Sequence, residues 1–93
     1  MLSDIPKKLE KVEKKILDLE ILRTGMIAEL DAVSLYEQMA AMTQDEKIKE
    51  VLLDIAKEEK THIGEFEALL LQRDRQQKAE LEAGKKEVEK LAD

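Results

Sequence analysis

Cysteine is absent from these 93 residues, which excludes disulfides, zinc-finger sites and thiolate-held clusters. Aromatic residues make up 2%, with no tryptophan, and there are only one proline and three glycines. So few turn formers and sheet formers favour long solvated helices over strands, and the chain reads as all-α. No apolar run reaches membrane-spanning length and no signal peptide is recognisable, so no membrane partner is expected and a cytoplasmic location is. A basic block is also missing. The 16 lysines and arginines are interspersed among 22 acidic residues for a net charge of −6, which argues against nucleic acid and favours cations over phosphates as ligands.

What is present is charge, at 41% of residues, laid out with helical periodicity. A chain of this length forms one small domain, residues 1–93, with little room for a self-sufficient core, so a partner chain or a metal is expected to help. Asp4 as a possible N-cap and Pro6 just inside it place the start of a first helix, about 6–41. Leu9, Val12, Ile16, Leu19, Met26, Leu30 and Val33 recur along it at spacings of three and four. Arg23 is the polar interruption of that seam, and Gly25 weakens the helix without ending it. In "MTQDE", Thr43 followed three residues later by Glu46 has the form of a capping box, so a second helix is expected over about 44–72. Its stripe is Ile48, Val51, Leu52, Ile55, Glu59, His62, Phe66, Leu69 and Leu70. The two helices form an antiparallel hairpin. A short C-terminal helix, about 76–91 and broken near Gly84, follows through Leu81, Val88 and Leu91.

The only histidine, His62, lies three residues after Glu59 in "IAKEEKTHIGEF". Positions three apart share a helix face, so the two side chains either chelate a metal or form a polar pair on a solvated edge. On the first helix, Leu22, Met26, Glu29, Ala32, Tyr36 and Met39 form a stripe with a carboxylate in its middle. Glu29 lies 14 residues before Thr43 and Glu59 lies 16 after it, so antiparallel pairing brings them level. Buried carboxylates without a basic partner are costly, and a cation removes that cost; the alternative is that they reach water at the stripe edge. A dinuclear carboxylate site in a four-helix bundle takes a Glu from each of two helices and a Glu-x-x-His from each of the other two. This chain supplies half of that set. Two copies about a twofold axis would complete it, making the dimer a condition of the site. Tyr36, two turns after Glu29, is either a hydrogen-bond partner for a ligand carboxylate or an ordinary helix-edge tyrosine. Asp31, Glu37, Glu58 and Glu65 add negative charge around these positions; each is expected on an ordinary solvated acidic face, the alternative being that they draw cations in.

"AELDAVSLYEQM" followed after a short turn by "EEKTHIGEF" resembles the encapsulated ferritins, above all the ferritin-like domain fused to some archaeal encapsulin shell proteins. The likeness covers about residues 20–72. It implies a hairpin with a short C-terminal helix, dimerising into a ferritin-like four-helix bundle, with dimers assembling into a ring such as a decamer. It implies iron bound between the chains of a dimer, with Glu29, Glu59 and His62 as ligands, Glu59 bridging the irons, and Tyr36 beside them. An acidic pair that forms an entrance site in the family corresponds here to Ala28 and Asp31, so half of it is present, and an aromatic that can precede the tyrosine is Leu35. The activity implied is oxidation of Fe(II) by O₂ for mineral storage within an encapsulin nanocompartment. Manganese or zinc suits the same donors. The ending "GKKEVEKLAD" has neither the flexible linker nor the targeting peptide of stand-alone members, so either a longer polypeptide carries the shell protein, which is the expectation, or a targeting segment has been removed. The rival reading is a helical hairpin that oligomerises as a scaffold and does no chemistry.

Overall fold

A computed structural model of the chain describes residues 14–91. Three helices account for nearly all of them, and no strand occurs among the described residues: α1 (Lys14–Met42), α2 (Glu46–Arg73) and α3 (Arg75–Glu89). The expected beginning of the first helix at Asp4 and Pro6 lies outside the described residues, as do Leu9 and Val12. At about 1.5 Å per residue, α1 and α2 are each a little over 40 Å long, and they pack against each other as an antiparallel pair.

The connection is made by residues 43–45, and its chemistry differs from the expected capping box. Asp45, in extended backbone conformation, is the N-cap: its Oδ1 accepts from the Lys47 and Ile48 amides at 2.9 and 3.1 Å. Thr43 instead accepts the Asp45 amide on its Oγ1 at 3.1 Å, closing the turn before the helix begins. The carboxylate wins because it is a charged acceptor, offers one oxygen to two helix amides, and favours the positive end of the helix dipole. Asp74 then serves both neighbouring helices. Its amide donates to Leu70 O at 2.9 Å to end α2, and its Oδ1 accepts the Gln77 amide at 2.9 Å to start α3. No loop is needed, and α3 turns off directly. It also runs straight through Gly84, where a break was expected; a single glycine costs about 1 kcal/mol against alanine, too little to stop a helix capped at both ends.

Only part of each apolar stripe is used within one chain. Leu22, Val33 and Ala40 of α1 and Ala56 and Leu70 of α2 are buried, the alanines letting the backbones approach. Ile48, Val51 and Leu69 of α2 are exposed despite lying on the expected stripe, and so are Ile16 and Leu30 of α1. An apolar sector wider than one neighbouring helix can cover leaves a second flank open. Arg23, the interruption in the first seam, straps the α2–α3 corner to α1. Its Nη2 donates to Asp74 Oδ2 at 2.6 Å and its Nη1 to Glu20 at 3.2 Å.

The outcome is a thin, extended unit. The Cα radius of gyration is 16.5 Å, against about 12 Å for a compact chain of this length. Accessible surface is 7631 Å² for 10.7 kDa, where a compact monomer would expose about 5,500 Å².

Candidate metal centre

Midway along the hairpin the inward edges of α1 and α2 carry Glu29, Glu59 and His62. The spacing of Glu59 and His62 puts both on one side of α2, and antiparallel pairing brings Glu29 across from them. His62 Nδ1 stands 3.3 Å from Glu29 Oε2 and 3.6 Å from Glu59 Oε2. One donor atom from each of the three residues lies within 4.8 Å of the others. The two glutamate side chains are about four-fifths buried, at 19% and 20% exposed, whereas the His62 ring is 43% exposed. Among the described residues no lysine or arginine forms an ion pair with either carboxylate.

These distances suit a cation. Two donors each about 2.1 Å from one ion, at octahedral or tetrahedral angles, stand about 3.0–3.4 Å apart, so the Glu29–His62 separation already matches, Glu59 has a few tenths of an ångström to close on His62, and the two carboxylate oxygens, within 4.8 Å of each other, would be drawn together by the ion. The donor types agree, being hard carboxylate oxygens with one imidazole and no thiolate. Without a cation, the contact with Glu29 is a hydrogen bond when the His62 proton sits on Nδ1. Coordination through the same atom needs the proton on Nε2.

Tyr36 is half-buried on α1, and its hydroxyl makes no hydrogen bond among the described residues. Asp31 is placed unlike the solvated acidic residue expected of it. It is 6% exposed, and two residues along a helix is a rotation of about 200°, so it points away from the side of α1 that carries Glu29. Glu37 pairs with Lys60 at 3.1 Å on the surface, and Glu58 and Glu65 are exposed as expected.

One feature beside the cluster is absent from the sequence-based expectations. A Cβ at Gly25 would meet the far edge of the Phe66 ring at 2.9–3.1 Å, so the ring rests against the α1 backbone itself. The signal for it is a matter of spacing: Gly25 lies four residues before Glu29 and Phe66 four after His62.

The family described as EncFtn-like matches residues 4–88. The chain belongs to that family. Among the relatives of this EncFtn-like chain is a ferritin-like–encapsulin shell fusion protein of Pyrococcus furiosus, 56% identical over 73 residues. Those residues are 78% of this chain but 21% of the relative, so the chain spans about a fifth of that protein's length. The crystal structure of the encapsulated ferritin domain from Pyrococcus furiosus superimposes with a TM-score of 0.78 at 48% identity, covering 99% of this chain and 88% of the other. The all-α fold is therefore shared. No helix among the described residues is long and apolar enough to cross a membrane.

Proposed function

We propose that this EncFtn-like chain is a ferroxidase, binding Fe(II) at Glu29, Glu59 and His62 and passing its electrons to O₂ at a di-iron site completed by a second copy. The observation that carries the reading is the convergence of two largely buried carboxylates and an imidazole, with no lysine or arginine among the described residues paired to either carboxylate. Iron is the substrate here and supplies the electrons, one per Fe(II). The chain supplies charge, geometry and partial exclusion of water. Glu29 and Glu59 provide the negative charge that balances the incoming cation, and His62 contributes a neutral donor at the most open edge.

Three donors fall short of what an octahedral ion accepts, and the shortfall lies on the exposed side of His62. That side belongs to a flank where Ile48, Val51 and Leu69 are also uncovered. The surface in excess of a compact monomer is about 2,000 Å², the scale of an obligate interface. A second copy apposed there would bury the flank and bring a second Glu, Glu and His. Rings of such dimers, and iron delivery into an encapsulin compartment, extend the reading from the family and from the relative fused to a shell. A pure scaffold would explain the open apolar flank, but it leaves His62 as the sole offset to the burial of two inward carboxylates among the described residues.

The test is stopped-flow oxidation of Fe(II) after anaerobic loading. Glu29→Ala, Glu59→Ala and His62→Ala should each abolish or strongly reduce the rate while circular dichroism shows the helix content retained. Tyr36→Phe should retain metal and alter only the rate. Oxidation at the wild-type rate in all three alanine variants would refute the assignment.

A further inference from the structure

We infer that Gly25 and Phe66 act together as the positioning pair of the metal centre, with the Phe66 ring serving as the spacer that sets the gap between α1 and α2 at the level of Glu29 and His62. The inference rests on the reading of Glu29, Glu59 and His62 as a cation site.

Register brings the pair to the site. Residues four apart lie on one side of a helix with an axial rise of about 6 Å, so Gly25 is the next position down from Glu29 and Phe66 the next one along from His62. The helices are antiparallel, so both steps lead to the same end of the cluster, away from residues 43–45. Side chain and backbone do meet there. An ideal Cβ on Gly25 would stand 2.9 Å from Cζ, 3.0 Å from Cε1 and 3.1 Å from Cε2 of Phe66. All three atoms belong to the outer edge of the ring. Phe66 therefore bridges the whole interhelical gap and stops on the main chain of α1, where any other residue would hold it off. By contrast, a Cβ at Gly64 or Gly84 would meet nothing within 4 Å, so close approach is particular to residue 25.

The consequence for the site follows from tolerances. Glu29 Oε2 and His62 Nδ1 face each other across this gap at 3.3 Å, one turn from the ring. Metal–ligand bonds near 2.1 Å allow little error, and supporting groups must hold ligands to within about 0.5 Å. A rigid aromatic ring held against main chain is a better spacer than a flexible side chain, because neither surface can adjust by changing rotamer. It also forms an apolar wall on one side of the donors. Phe66 touches no substrate; it acts through the placement of Glu29 and His62.

The experiment uses Co(II), whose visible absorption reports coordination geometry, titrated into the metal-free chain under chelator-controlled conditions. Gly25→Ala gains helix propensity, so folding is not the obstacle, but it should push the ring outward, weaken Co(II) binding roughly 10-fold and shift the visible bands. In the Gly25→Ala, Phe66→Leu double variant the smaller side chain makes room for the methyl group. Most of the affinity should return, a non-additive result that two independent losses would not give. Wild-type affinity and spectrum in Gly25→Ala, with only the thermal midpoint moved, would overturn the inference, and so would simple additivity of the two single variants. Glu59→Ala is the control for the underlying reading. If wild type takes up no Co(II), or Glu59→Ala retains the wild-type spectrum, the metal centre fails and the positioning pair with it. Loss of binding in Glu59→Ala beside an unperturbed Gly25→Ala would overturn the positioning pair alone.

Discussion

Replacing Glu59 with glutamine should change the stability of this protein in opposite directions with and without metal. The donor oxygens of Glu29 and Glu59 lie within 4.8 Å, and each side chain is about four-fifths buried. At that outer distance two like charges repel by about 0.9 kcal/mol in a water-like dielectric and about 3.5 kcal/mol at an effective dielectric constant of 20. Burial of both groups excludes the lower bound and residual exposure the upper, so removing one charge should stabilise the metal-free chain by about 1–2 kcal/mol. For a domain of this size each kilocalorie corresponds to about 4–8 °C in Tm. Metal reverses the ranking. A cation at 100 times its Kd stabilises the wild type by about 2.7 kcal/mol, whereas Glu59→Gln, lacking a charged ligand, gains little. Thermal unfolding by circular dichroism, at fixed chain concentration with EDTA or with Mn(II), should show the variant melting higher in the first condition and lower in the second. A variant that melts lower in both by the same amount would refute the reasoning, because Glu59 would then be an ordinary hydrogen-bonding partner and its charge no liability.

Assembly should respond to the same charges: adding Mn(II) or Fe(II) to metal-free protein should shift native mass spectra toward dimer or ring, and an unchanged distribution would count against a site shared between copies. Asp45→Ala should cost about 1 kcal/mol in urea unfolding, and Thr43→Ala less, since Asp45 holds two helix amides and Thr43 closes only the turn. Arg23→Ala removes a 2.6 Å ion pair to an aspartate whose side chain is 14% exposed, so about 1 kcal/mol should be lost and hydrogen exchange in α3 should accelerate relative to α2. Equal acceleration in both helices would mean that Arg23 does not strap the corner.

The hairpin and the cluster were legible in the sequence because both depend on local periodicity. A spacing of three places Glu59 beside His62 whatever else the chain does, and a single short turn leaves Glu29 few places to go. Features that depend on contacts distant in sequence were not legible. Arg23 reads as a flaw in a seam until Asp74, 51 residues away, is brought against it. Gly25 reads as a weakness in α1 until Phe66 fills its missing side chain. Asp31 reads as a surface acid because periodicity gives the angle between residues on a helix and says nothing of what covers the far side. The cap was misread for a different reason: Thr43 and Asp45 both satisfy the pattern of a helix start, and only backbone geometry separates an acceptor that closes the turn from one that begins the helix.

Mean charge and open surface point to one physical compromise. A chain with 41% charged residues, and with two alanines among the five buried apolar residues of its described part, has little hydrophobic drive to spare within a single copy. It nevertheless places two carboxylates on the inward edge of its only extensive helix–helix contact among the described residues, where leucine or valine would add stability. The proposed function would recover that deficit in two ways, by a cation between the carboxylates and by a second copy's apolar surface against Ile48, Val51 and Leu69. Both remedies act on the same region, since His62 lies on α2 between Val51 and Leu69 and is itself the most open of the three donors. On the proposed reading, metal uptake and association would be coupled by position: covering the flank would close the exposed side of the site, and neutralising the site would remove the repulsion that two such flanks bring together.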